Sequence, residues 1–127
     1  MTSAKKVPKR VLIVEDEPWL AAGQAQLLKT EGYDVKTVPH ALAAIHQVDE
    51  FHPDVVVLDI LLSGSTGYAL LHELQSYADT GSLPIIVSTT LADDLKAEDL
   101  APYGVRRILN KVTMHPDDLL AAIRSVL

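Results

Sequence analysis

The chain of 127 residues contains no cysteine, which excludes disulfides, thiolate catalysis and thiolate metal ligands. Aromatic residues make up only 5%, and no apolar run approaches the roughly 18 residues that a membrane helix needs, so we expect no association with a membrane. The apolar stretch after the basic start covers only residues 11–14, too short for a signal peptide. The remaining composition, 48% hydrophobic and 22% charged, is typical of one globular domain.

Basic residues are scarce outside the N-terminus. Four of the eleven Lys and Arg lie in the first ten residues, which hold none of the seventeen acidic residues. The other 117 residues therefore have 7 basic and 17 acidic groups, a net charge of −10. Because nucleic-acid binding normally needs a basic surface, we expect no direct binding of nucleic acid. We interpret residues 1–8 as a flexible basic tail and residues 9–127 as the folded domain.

Five apolar or β-branched segments recur along the chain at fairly even spacing. The first, third and fourth are almost continuously apolar, which is typical of strands buried on both faces of a parallel sheet. The second and fifth carry more polar residues, which favours positions at the edges of the sheet. The five segments are residues 10–15, 34–38, 54–59, 84–89 and 105–109.

Helical patterns alternate with these strands, and five such repeats predict an α/β fold, a doubly wound (βα)5 domain. We expect Gly32 to cap the first helix and a short acidic helix to run from Asp93 to Ala101, stopped by Pro102 and Gly104. The side chains expected to face inward are Leu20, Leu27 and Leu28, then Leu42, Ile45 and Val48, then Tyr68, Leu71 and Leu74, and finally Leu119, Leu120, Ile123 and Val126.

Polar residues stand where the strands end, the edge at which doubly wound sheets bind ligands. Glu15 and Asp16 follow the first strand (with Glu17 next), Asp59 ends the third, Thr89 ends the fourth and Lys111 follows the fifth. Singly, each has an ordinary structural role in a turn, cap or solvated loop. Together, oxygen ligands without His or Cys predict a Mg²⁺ site, and the hydroxyl and ammonium add a place for a phosphoryl group. Asp59 is then the predicted nucleophile, since aspartate can form an acyl phosphate.

Four motifs carry a family resemblance. VLIVEDEP, VVVLDILLSGSTG, PIIVSTT and GVRRILNKV occur in order and at family spacing. With them the chain, from about Lys9 to Leu127, resembles a response-regulator receiver domain of two-component signalling. The resemblance implies the flavodoxin-like fold with strand order 2-1-3-4-5 and a cytoplasmic protein. We expect the glycines of GSTG to let the loop turn tightly into the third helix.

The resemblance also implies roles for the acidic residues. Asp59 would accept a phosphoryl group from a histidine kinase or a histidine phosphotransfer protein. Asp16 would bind Mg²⁺ directly, Glu15 through water, and the backbone carbonyl of Leu61 would supply a further oxygen.

On the signalling side, the resemblance implies that Thr89 is the switch hydroxyl and Lys111 the ion-pair partner of the phosphoryl group. The fourth helix, fifth strand and fifth helix form the usual signalling face. Here Ile108, Arg106 and Arg107 belong to that face, and the arginines together with the acidic helix would support a homodimer.

The chain departs from the family pattern at several positions. Val112 replaces the proline that usually follows the lysine, so we predict a trans peptide bond and a displaced Lys111. Ser63 stands where the family usually has proline, and Ile108 where it usually has an aromatic residue. Leu61 and Leu91 lie two residues beyond Asp59 and Thr89, and their apolar side chains predict slow hydrolysis of the phosphoryl group.

Other functions remain as alternatives. A flavodoxin-type carrier is disfavoured because the acidic EDEP loop would repel a flavin phosphate. An aspartyl phosphatase is disfavoured because Leu61 replaces its second acid. The serious alternative is a receiver-like module that binds proteins without phosphorylation.

The length leaves no room for an effector domain, so we expect either a stand-alone receiver or the N-terminal piece of a longer regulator.

Overall fold

The computed structural model describes residues 7–62, 65–76 and 83–127. Five parallel strands form one sheet in the order β2-β1-β3-β4-β5, which confirms the predicted doubly wound α/β fold. Residues 61–62 and 65–66 add a short antiparallel pair outside this sheet. Residues 1–6 of the predicted tail and Ser63 lie outside the described residues. The strands are β1 (Arg10–Val14), β2 (Asp34–Val38), β3 (Val55–Leu58), β4 (Ile85–Thr89) and β5 (Val105–Asn110).

Helices cover both faces of the sheet. Gly32, with φ +93°, follows the first helix as expected. None of the helices among the described residues is long and apolar enough to span a membrane. The helices are α1 (Pro18–Thr30), α2 (Ala41–Phe51), α3 (Gly67–Ser76), α4 (Ala97–Leu100) and α5 (Pro116–Val126), with 3-10 turns at Ala92–Asp94 and Ala101–Tyr103.

The acidic segment is not the single helix that the sequence predicts from Asp93 to Ala101. A 3-10 turn opens it, the backbone is extended at Leu95 and Lys96, and only one turn of α-helix follows. Leu95 packs against the hydrophobic core. At Leu95 the backbone is extended and the side chain lies against the core. The extended backbone interrupts the helix at this point.

Alternate strand residues point to opposite faces of the sheet and divide the core in two. One cluster lies under α2, α3 and α4, and the other lies under α1 and α5. In the three central strands, β1, β3 and β4, the first cluster contains Leu12, Val14, Val56, Leu58, Ile85 and Val87, and the second contains Val11, Ile13, Val55, Val57 and Ile86.

Two of the predicted sets of inward-facing helix residues are wrong at their first member. Leu42 is 76% exposed and Tyr68 is 44% exposed. At 100° per residue, a side chain six positions before another lies about 120° away around the helix axis, so the two cannot share a narrow buried face. The residues that are buried are Ala44, Val48 and Phe51 in α2 and Leu70, Leu71 and Leu74 in α3.

Candidate functional site

The parallel strands bring distant polar residues to one edge of the sheet. Val14 and Leu58 are ladder partners in β1 and β3, so Glu15 and Asp59, which follow them, emerge side by side. The Asp59 amide donates a hydrogen bond to the Val14 carbonyl at 3.2 Å. Register between neighbouring strands therefore sets the spacing of these carboxylates.

Three carboxylates form a cluster at this edge. Oxygens of Glu15, Asp16 and Asp59 all lie within 4.8 Å of one another, the only such group among residues 7–62, 65–76 and 83–127. Glu15 and Asp59 are buried and Asp16 is half-buried. A compact set of oxygen donors fits a hard divalent cation such as Mg²⁺ and offers nothing to a thiophilic metal.

Lys111 is the cation of this cluster. Its Nζ lies 2.7 Å from Asp59 Oδ2 and also forms an ion pair with Glu15. Together with Asp16 these residues carry three carboxylates and one ammonium, an excess of two negative charges. Close like charges repel, so the group is electrostatically suited to bind a divalent cation.

The buried charges perturb one another. Burial raises the pKa of Glu15 above its ordinary value, although the hydrogen bond and charge of Lys111 oppose this shift. Burial also disfavours the Lys111 ammonium, but its hydrogen bonds to Asp59 and Glu15 outweigh that cost and raise its pKa. Lys111 therefore stays charged at neutral pH, where it is paired with both carboxylates.

Glu17, the third acid after β1, is exposed and lies outside the carboxylate cluster. Its backbone N–H donates to Glu15 Oε2 at 3.1 Å, and its carboxylate accepts a hydrogen bond from Trp19 Nε1 at 3.2 Å. Trp19 is itself largely exposed at the start of α1. Glu17 thus contacts the cluster through its backbone N–H, and its own carboxylate is not one of the three clustered carboxylates.

Gly67 closes the loop behind Asp59. Its N–H donates to the Ile60 carbonyl at 2.6 Å, and a Cβ at this position would lie 2.6 Å from Ile60 Cα and 2.8 Å from the Asp59 carbonyl oxygen. Only glycine allows so close a backbone approach. The motif GSTG signalled a tight turn, but the sequence alone could not show that the obstacle is the backbone of the site itself.

Thr89 is fully buried at the end of β4, and its Oγ1 accepts a hydrogen bond from the Leu91 backbone N–H at 3.2 Å. On β5, Ile108 is half-buried and packs against the α2–α3–α4 side of the core. Arg106 and Arg107 are exposed on the same strand. These positions connect the site edge to a charged outer surface.

Val112 follows Lys111 through a trans peptide bond, as predicted, and no cis bond occurs among the described residues. The trans bond still leaves Nζ of Lys111 in contact with Asp59. The Val112 N–H donates to Asn110 Oδ1 at 2.9 Å, a contact that sequence reasoning did not foresee.

Sequence comparisons place the chain beside known proteins. The family model described as response regulator receiver domain matches residues 11–124. The DNA-binding response regulator MtrA of Mycolicibacterium smegmatis is 31% identical over 117 residues, covering 92% of this chain and 50% of MtrA. The sensory transduction protein RegX3 of Mycobacterium bovis is 32% identical over 112 residues, covering 80% of this chain and 48% of RegX3. The chain thus spans about half the length of these relatives.

Solved structures share the fold. A sensor protein from Polaromonas sp. JS666 superposes with a TM-score of 0.86 at 26% identity, covering 93% of this chain and 94% of that one. The response regulator TrrA from Thermotoga maritima, solved in complex with Mg²⁺ and BeF, gives a TM-score of 0.80 at 25% identity, covering 94% of this chain and 99% of that one.

Proposed function

Because the chain belongs to the response regulator receiver domain family of two-component systems, we propose that Asp59 accepts a phosphoryl group from a histidine kinase or a histidine phosphotransfer protein. The observation that carries this assignment is the contact of the buried Asp59 carboxylate with the Lys111 ammonium, inside a cluster of three carboxylates. We assign the role to residues 9–127, with residues 1–8 as a basic tail, and infer that the domain acts in the cytoplasm.

Glu15, Asp16 and Asp59, with the backbone carbonyl of Leu61, would hold Mg²⁺. The cation, when bound, supplies positive charge against the phosphoryl oxygens. Support for the metal comes from the donor set and from the excess of two negative charges in the cluster. The related TrrA, crystallised with Mg²⁺ and BeF, points in the same direction.

The transfer begins when an Asp59 carboxylate oxygen forms a bond to phosphorus. The bond between phosphorus and the imidazole nitrogen of the donor's phosphohistidine breaks, and its electron pair stays on that nitrogen, which takes up a proton. The Lys111 ammonium, already 2.7 Å from Asp59 Oδ2, pairs with the charge of the phosphoryl oxygens. The domain thereby assists its own phosphorylation and the later hydrolysis by water, without acting as an enzyme on another substrate.

The signal then passes to the outer surface. The Thr89 hydroxyl would leave the Leu91 amide and turn to the phosphoryl group, and the space it vacates would let Ile108 move. Arg106 and Arg107 on β5, with α4 and α5, form the surface that changes partner binding or supports a homodimer. Ile108 has a smaller side chain than an aromatic residue, so its displacement would alter this surface less.

The experiment is phosphorylation with acetyl phosphate and Mg²⁺, followed by intact mass. The wild-type chain should gain the mass of one phosphoryl group, Asp59→Asn should gain none, and Asp49→Asn, at an exposed position of α2, should behave as wild type. Chelation of Mg²⁺ should abolish the gain. A wild type that gains no mass would instead favour a binding module that works without phosphorylation, the alternative that Ser63, Ile108 and Val112 in the sequence favour.

A further inference from the structure

Lys111 lies where the chain leaves the sheet. Its backbone N–H donates to the Thr89 carbonyl at 3.1 Å, and Asn110, directly before it, is the ladder partner of Thr89. The N-terminal side of Lys111 is therefore held by β4. On its C-terminal side no helix begins until Pro116, so the sheet does not hold this part of the chain.

Asn110 bridges this gap with two hydrogen bonds. Its side-chain Oδ1 accepts from the Val112 N–H at 2.9 Å, and its backbone carbonyl accepts from the Met114 N–H at 2.9 Å. The first bond spans Lys111 itself and closes an Asx turn around it. Since Val112 is 76% exposed, packing against the core contributes little to the shape of this turn.

The position of the Lys111 backbone matters because its side chain is long and flexible. The Nζ atom must stay within contact distance of both Asp59 and Glu15. A displacement of about 1 Å at a reacting centre is enough to slow a reaction substantially. A turn that fixes the Cα atom therefore narrows the range of positions open to the ammonium.

We propose that Asn110 is a positioning residue of this site, and that its side-chain amide holds Lys111 in place through the Val112 N–H. The inference rests on the proposed function, because it concerns the lysine that would meet the phosphoryl group. A proline at position 112 would have no N–H to donate. The Asn110 side chain and the Val112 N–H thus together form the turn that orients Lys111.

The test compares initial rates of phosphorylation by acetyl phosphate and Mg²⁺ for four chains. Asn110→Ala should be slower than wild type by roughly three- to tenfold, the effect of one hydrogen bond. Asn110→Ser keeps a neutral oxygen that can accept from the Val112 N–H and should therefore lose less rate than Asn110→Ala. Thr113→Ala changes an exposed side chain of the same turn and should match wild type.

A double-mutant cycle separates positioning from a general structural effect. In a Lys111→Ala background, Asn110→Ala should change the residual rate less than about twofold, because the residue acts through the lysine. Equal losses in both backgrounds would overturn the inference. So would an Asn110→Ser protein as slow as Asn110→Ala, or hydrogen exchange of the Val112 amide that stays unchanged in Asn110→Ala.

The outcomes also distinguish this inference from the proposed function. If wild type takes up no phosphoryl group, the proposed function is wrong, and the role of Asn110 fails with it. If wild type is phosphorylated and Asn110→Ala reacts at the same rate, only the positioning role is wrong.

Discussion

Ion pairs lie at both edges of the same sheet, in contrasting surroundings. At the N-terminal edge, Arg10 Nε lies 3.8 Å from Asp34 Oδ2, and the two side chains are 39% and 52% exposed. The Arg10 guanidinium also donates to the Phe51 carbonyl at 2.8 Å and lies over the Phe51 ring. These contacts join the start of β1 to the start of β2 and the end of α2, and both members of the ion pair are partly exposed to solvent.

The C-terminal edge is arranged differently. Lys111, Asp59 and Glu15 have side chains only 11%, 8% and 3% exposed, and Asp16 adds a third carboxylate. Buried charges are costly unless they are paired, and here one ammonium pairs with two buried carboxylates beside a third that is half-buried. Such a group of charges is a poor source of stability, and it fits the proposed binding of a cation and a phosphoryl group, whereas the exposed pair at the N-terminal edge fits an ordinary structural role.

The largest expected effect comes from removing the buried cation. Lys111→Met leaves Glu15 and Asp59 buried without their ammonium and should lower the free energy of unfolding by about 3 kcal/mol at pH 7. The pKa of Lys111 is raised in the folded protein. Its contribution to the free energy of unfolding is therefore fully present below the ordinary pKa of 10.5, and it is lost as the pH rises through the pKa of the folded state. Urea unfolding at several pH values measures both effects.

Added Mg²⁺ provides the control for this variant. It should recover part of the lost stability, since a divalent cation can take over the pairing of the carboxylates. A Lys111→Met protein as stable as wild type without Mg²⁺ would show that solvent already screens this edge.

A smaller effect is expected from the loop that closes behind Asp59. Gly67→Ala puts a methyl group 2.6 Å from Ile60 Cα, so the backbone must shift, at a cost of about 2 kcal/mol. Phosphorylation of Asp59 should slow in the same variant, because the displaced atoms belong to its own peptide. Urea unfolding and the phosphorylation rate are the measurements.

Gly23→Ala is the matched control for this change. Its new methyl group meets nothing within 4 Å and sits inside α1, so it should stabilise the fold slightly. Equal effects of the two substitutions would contradict the steric argument at Gly67.

The smallest effect is expected at the N-terminal edge. Arg10→Met should cost about 1 kcal/mol, because exposed ion pairs contribute little and one hydrogen bond is lost with the pair. Phosphorylation should be unaffected at the opposite edge. A loss as large as that of Lys111→Met would remove the distinction between the two edges.

The sequence alone predicted the parts of this protein that depend on order along the chain. Continuous apolar runs ending in Glu15, Asp59 and Thr89 indicated buried parallel strands, and parallel strands necessarily bring their C-terminal ends to one edge. The family match of residues 11–124 agrees with that interpretation. Helix faces were less predictable, as exposed Leu42 and Tyr68 show, because two successive steps of three residues turn the side chain about 120° away from the buried face.

The fold class and the residues gathered at the C-terminal ends of the strands were therefore determined by the hydrophobic pattern and by the positions of a few polar residues, whereas the strand order came from the family resemblance of the motifs. Tertiary structure alone decided how these residues meet. It placed the Lys111 ammonium between two buried carboxylates, left Glu17 outside the cluster, and brought Gly67 against the backbone of Asp59. These outcomes depend on ångström-scale distances between segments far apart in the chain, which packing and strand register set and which no local pattern encodes.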